Sequence, residues 1–112
     1  MPRAAAISEH LGQVLRELKS RLAAIYGPCL CDCYLFGSFA RGEEDAESDI
    51  DVLVVLDRVD DYYGELARTS AVVSELSLAC NRSISCVFVP LSRWRNDQTM
   101  FLLNVREEAI PT

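Results

Sequence analysis

The sequence predicts a small α/β domain: one mixed central sheet flanked by helices, in the order αβ(α)βαβα. Three observations carry this prediction. Short apolar runs at Leu30–Phe36, Ser48–Leu56 and Ser83–Val89 alternate with two long stretches of helical period. The middle run holds five consecutive apolar residues, Val52 to Leu56, which marks a central strand covered on both faces. Gly27-Pro28, Gly37-Ser38 and Pro90 stand where one pattern gives way to the next.

Taken in order, residues ~5–26 place Ile7, Leu11, Val14, Leu15, Leu18, Leu22 and Ile25 at i+3 and i+4 steps. Glu9, Gln13, Arg16, Lys19 and Arg21 fill the other faces. Gly27-Pro28 ends this helix, because proline cannot continue it and glycine suits the position just past its end. His10 lies at its exposed beginning and reads as a solvated side chain. Leu30–Phe36 reads as a strand ending at Gly37-Ser38, followed by a helical turn, Phe39-Ala40-Arg41, closed by Gly42. Glu43–Glu47 reads as a solvated acidic loop.

Ser48–Leu56 is the clearest strand, and Asp57–Asp61 make a polar turn after it. A second helix is predicted over ~61–80, with Tyr62, Leu66, Val73, Leu76 and Cys80 on one face and Asn81 as a left-handed terminator. Ser83–Val89 is the third strand, stopped by Pro90. Ser92 is predicted to cap a short helix containing Trp94. Met100–Ile110 reads as a last amphipathic helix or turn.

A length of 112 residues reads as a single domain, 1–112, with one core. The formal net charge of −6 argues against non-specific nucleic-acid binding, which needs a basic surface. Met1–Glu9 lacks the apolar run of an export signal, and no apolar stretch approaches the ~20 residues of a membrane span. The expected location is cytoplasmic. Five cysteines then read as reduced thiols. Cys29-x-Cys31-x-Cys33 raises a metal site, but its spacing is not that of a zinc knuckle, and small buried strand residues are the favoured reading.

The chemistry concentrates between Gly37 and Val55. In a strand Asp49 and Asp51 would share a face, ~7 Å apart at ~3.3 Å rise per residue. Two such carboxylates repel and resist burial unless a cation sits between them. Gly37 lets a ligand approach the backbone, Ser38 adds a hydroxyl, and the guanidinium of Arg41 can grip phosphate bidentately. Each feature alone has a bland reading: a turn, a strand-entry cap, a surface ion pair between Arg41 and the acidic loop. Their order is more specific than any one of them. A phosphate cradle beside a metal-ready carboxylate pair points to chemistry on a nucleotide, with two divalent cations clamping an in-line displacement.

Gly37-Ser38-Phe39-Ala40-Arg41-Gly42 followed by Ser48-Asp49-Ile50-Asp51-Val52-Leu53-Val54 resembles the signature of the minimal nucleotidyltransferases of the DNA polymerase β-like superfamily. The resemblance implies that fold, ATP as donor, Mg2+ at Asp49 and Asp51, and triphosphate contacts from Gly37 and Ser38. It also implies a partner. Such domains are often encoded beside a helical HEPN protein, for which they act as antitoxins by attaching AMP to a tyrosine. One departure matters. Active members usually add a third carboxylate, metal ligand and general base, from the next core strand. Here Ser85 stands at the expected place, and a serine cannot take the acceptor's proton as a carboxylate does. Glu107 and Glu108 are the other carboxylates available if the C-terminal segment folds back.

Two functions follow as expectations. The first is a Mg2+-dependent enzyme moving AMP from ATP to a protein acceptor, the HEPN-type toxin. The alternative is a catalytically weak nucleotide-binding module that neutralises its partner by contact. Trp94, Phe101, Leu102 and Leu103 read as core or interface, which a partner or a second copy of the chain could bury.

Overall fold

Residues 8–112 are described by a computed structural model, whose centre is a four-stranded mixed sheet. The first helix, α1 (Glu9–Tyr26), starts where the Ser8 hydroxyl accepts the Leu11 N–H. Leu11, Val14, Leu15, Leu18 and Leu22 are buried as the periodicity requires, together with Tyr26. The portion of the predicted helix before Ser8, including Ile7, lies outside the described residues, as does most of the Met1–Glu9 segment read for an export signal. Gly27 ends α1 with φ 57°, and a short 3-10 turn over Gly27–Cys29 leads into β1 (Leu30–Phe36).

The one-turn helix α2 (Ser38–Arg41) follows, then β2 (Ile50–Leu56), α3 (Tyr62–Cys80) and β3 (Ile84–Pro90). Asp61 caps α3 through the Gly64 N–H, and Asn81 closes it at φ 57° and ψ 38°. Two short helices, α4 (Leu91–Asn96) and α5 (Met100–Glu108), precede a final two-residue strand, β4 (Ile110–Pro111). The strand order is β3-β2-β1-β4: β2 runs parallel to β3, while β1 is antiparallel to both β2 and β4.

Three expectations need correction. The C-terminal segment is a helix that stops at Glu108, and Ile110–Pro111 leave it to pair with Leu35 and Tyr34 of β1. The helix carrying Trp94 starts at Leu91 after Pro90, with no side-chain cap, so Ser92 lies inside it. The fixed φ of proline already sets the extended entry that a cap would organise. Finally, β2 begins at Ile50, whose N–H donates to Ser83 O at 2.8 Å, so Asp49 precedes the strand instead of lying within it.

Alternation along β2 splits the interior into two layers. Val52, Val54 and Leu56 pack with α1 and α3 residues. Leu53 and Val55 pack on the other face with Phe36, Val89, Leu102 and Val105. The middle strand is covered on both sides, as its unbroken apolar run demanded. By the same parity Asp51 belongs to the face covered by α4 and α5, at the open end of the strand. Among the described residues no helix is long and apolar enough to cross a membrane.

Candidate functional site

The turn after β1 brings the backbone of one strand against a side chain of the next. Phe36 is registered opposite Asp51, so Gly37 leaves the sheet beside the Asp51 carboxylate. Gly37 adopts φ 77° and ψ −156°, a region open essentially to glycine. A Cβ there would overlap Asp51 Oδ2. The turn is closed locally: Arg41 N–H donates to Gly37 O at 3.1 Å, Glu43 N–H to Ser38 O at 2.9 Å, and Gly42 is left-handed at φ 72°. Gly37, Ser38, Arg41 and Asp51 line one open cleft of about 540 Å³, shared with Phe101, Asn104, Glu107 and Glu108 of α5.

Asp51 is half-buried, and burial pushes its carboxyl above the ordinary carboxylate range. The charge of Asp49 pushes the same way, Arg41 opposes, and Glu108 adds to the push. A carboxylate held in this condition attracts cations, and Mg2+ commonly takes one or two carboxylates with water and substrate phosphates completing its shell. Among the described residues no three His, Cys, Asp or Glu side chains gather as a metal cage. Asp51 against the Gly37-Ser38 turn, with the charge of Asp49 felt at its carboxyl, would fit a metal shared with a ligand better than a resident ion. Asp49 is exposed at the end of the acidic loop and is not part of the cleft lining. On β3 the residue registered with Asp51 is Ser85, which is exposed.

Two residues of the site carried no local signal in the sequence. Arg82 Nη1 donates to Asp45 O at 2.8 Å and Ser48 O at 2.7 Å, and its guanidinium lies 4.8 Å from the centre of the Phe39 ring. It therefore pins the loop that delivers Asp49. Asn104 enters the cleft from α5. Glu108, one of the two C-terminal carboxylates considered from the sequence, is brought to the turn: its Oε2 accepts the Gly37 N–H, and both its oxygens lie 3.2 Å from Arg41 Nη1. Arg41 also donates through Nε to Glu43 at 2.8 Å, so the ion pair with the acidic loop forms as well.

The other candidates fall away from the cleft. His10 is exposed on the first turn of α1. Cys33 is buried on the α1 face, whereas Cys31 sits at a register shift in β1 and packs towards the opposite layer. That division sets Cys31 and Cys33 on different faces of the sheet. Burial pushes the Cys33 thiol up, and that of Cys86 up to about 12, as expected of inert core thiols.

Known proteins resemble this chain in sequence and fold. Residues 13–93 match the family model described as nucleotidyltransferase domain. A Methanocaldococcus jannaschii protein that bears the name of a protein adenylyltransferase is 41% identical over 44 residues, 39% of this chain and 44% of that protein. The chain thus spans less than half the length of that relative. A crystal structure of a toxin–antitoxin with AMP-PNP superposes with a TM-score of 0.58 at 22% identity, covering 84% of this chain and 68% of the other. The toxin–antitoxin MntA-HepT gives 0.54 at 20% identity, over 88% and 69%. At such identities these two structures establish the fold.

Proposed function

The chain belongs to the nucleotidyltransferase domain family, and from that membership we propose that it transfers AMP from ATP to a protein, as the antitoxin of a HEPN-type toxin. The observation that carries this reading is the abutment of the Gly37-Ser38 turn on Asp51 within one cleft, with Asp49 delivered two residues earlier. In this role residues 1–112 act as one domain. Gly37 and Ser38 hold the triphosphate, Arg41 neutralises it, and Asp49 and Asp51 hold Mg2+ at a two-metal site. When bound, the metal supplies the positive charge that polarises the α-phosphorus and steadies the leaving pyrophosphate. The acceptor oxygen bonds to that phosphorus as the bond to the β-phosphate oxygen breaks, and its proton leaves to water because β3 offers Ser85 where a carboxylate would serve as base.

A protein acceptor is favoured by the surface beside the cleft. Met100, Phe101 and Leu103 of α5 are 71%, 45% and 38% exposed, an apolar rim suited to a protein partner. The name of the Methanocaldococcus relative and the toxin–antitoxin complexes point the same way. The register of Ser85 with Asp51 favours the second reading, a nucleotide-binding module that neutralises its partner by contact alone. Labelled ATP, Mg2+ and a co-expressed HEPN protein separate the two. Label on the partner that disappears with Asp49→Asn or Asp51→Asn supports the enzyme. A tight complex that never acquires label supports the binder.

A further inference from the structure

The end of α5 places a carboxylate on the phosphate turn. Glu108 takes the Gly37 N–H and both its oxygens face Arg41, the backbone donor and the guanidinium that the proposed function assigns to the triphosphate. A carboxylate there offers the acceptor pair that a phosphate offers. Its side chain is sunk in the cleft at 15% exposure, against 42% for Arg41.

Backbone pairing fixes the placement. Ile110 is registered with Leu35 and Pro111 with Tyr34, Thr112 N–H donates to Cys33 O at 3.1 Å, and Lys19 Nζ donates to Thr112 O at 2.9 Å. Glu108 stands two residues before Ile110, and Gly37 two residues after Leu35, so the antiparallel pair of β1 and β4 brings them together. The grouping has a cost. Asp51 and Glu108 share a cleft that, among the described residues, is lined by one cation, Arg41, and the charge of Glu108 opposes that of Asp51.

We infer that Glu108 is an internal occupant of the phosphate subsite, which an incoming triphosphate must displace, so that the C-terminal segment sets the affinity for nucleotide. This rests on the nucleotide reading of the cleft given above. Displacement frees Arg41 Nη1 and the Gly37 N–H for the ligand. A third-carboxylate role for Glu108, as ligand of the metal, predicts the opposite sign when its charge is removed.

The test is calorimetric binding of ATP and of inorganic triphosphate, each with Mg2+, to the wild-type chain and to Glu108→Gln. Loss of a competing charge-assisted bond is expected to tighten both ligands about tenfold. Glu108→Asp keeps the charge but shortens the reach to Gly37, and is expected to tighten both to a smaller degree; it serves if the glutamine variant folds poorly. Unchanged or weaker binding in the variants, with a wild type that binds, overturns the inference and leaves the nucleotide site standing. Failure of every variant and of the wild type to bind either ligand overturns the nucleotide reading and the inference together.

Discussion

Gly37 and Asp51 lie so close that a side chain on the first would overlap the carboxylate of the second. The contact ties the turn of one strand to the acid of its neighbour, and the positive φ of Gly37 makes it available to glycine. Gly37→Ala therefore meets both a backbone and a steric penalty. It is expected to lower unfolding stability by about 1–3 kcal/mol in urea denaturation. It is also expected to abolish the rise in melting temperature that ATP and Mg2+ give the wild type. An alanine variant that binds nucleotide normally would show that the turn does not hold the triphosphate.

The carboxyl of Asp51 is raised by burial and by Asp49, which fixes the sign of its effect on stability. A raised acid stabilises the fold below its ordinary range, where it is protonated, and that contribution is lost as pH rises through the folded value. At neutral pH the wild type lacks the contribution, while Asp51→Asn stays neutral throughout. The variant is expected to melt higher than wild type at pH 7 without metal, and the difference should shrink as pH falls towards the ordinary range of aspartate. Added ATP and Mg2+ together should raise the wild-type melting temperature and leave Asp51→Asn unmoved. A variant that melts lower at pH 7 in metal-free buffer would mean that Asp51 is already neutralised.

Ser85 stands in register with Asp51 on the parallel strand β3, on the same face. Ser85→Asp rebuilds the carboxylate that the family resemblance calls for. Without metal it should push Asp51 further up and lower the melting temperature. With Mg2+ it should tighten metal binding and speed single-turnover transfer by roughly 100-fold, the low end of what a general base contributes. Metal titration and labelled-ATP transfer are the two readouts, and no change in either would remove Ser85 from the site.

Away from the cleft, the Tyr26 hydroxyl donates to Glu65 Oε1 at 2.7 Å and joins α1 to α3. Tyr26→Phe leaves that carboxylate with one partner fewer in a half-buried setting. A loss of about 1–2 kcal/mol is expected in urea denaturation. Nucleotide affinity should not change, because the pair packs on the face of the sheet opposite Asp51.

Much of the fold was legible because its signals are local. The run Val52–Leu56 required cover on both faces, and Gly37, Gly42 and Asn81 mark left-handed or glycine-only backbone. The Gly37-Ser38 turn and Asp51 could be placed together because strand, turn and strand follow one another with few residues between. What escaped depends on contacts distant in sequence. Ile110–Pro111 is too short to show alternation, and it becomes a strand only because β1 has an open edge. Glu108 reaches Gly37 through that pairing, so its place could be raised from the sequence but not fixed. Asp49 lies outside the strand, after a loop whose carbonyls are tied to Arg82, more than 30 residues away.

Arg82 therefore yields a prediction that sequence patterning could not. One guanidinium nitrogen holds the carbonyls of Asp45 and Ser48, and the guanidinium lies over the Phe39 ring, between the Gly37-Ser38 turn and the acidic loop. Both carbonyls lose that donor in Arg82→Ala. A cost of about 1–2 kcal/mol in stability is expected, with faster proteolysis within residues 43–49 and weaker Mg2+ binding in the presence of ATP. Lysine keeps the charge but presents a point donor without a planar face, so Arg82→Lys should recover part of the stability and little of the metal affinity. Full recovery by lysine would mean that charge alone holds the loop. Unchanged metal binding in the alanine variant would mean that Asp49 is positioned without it.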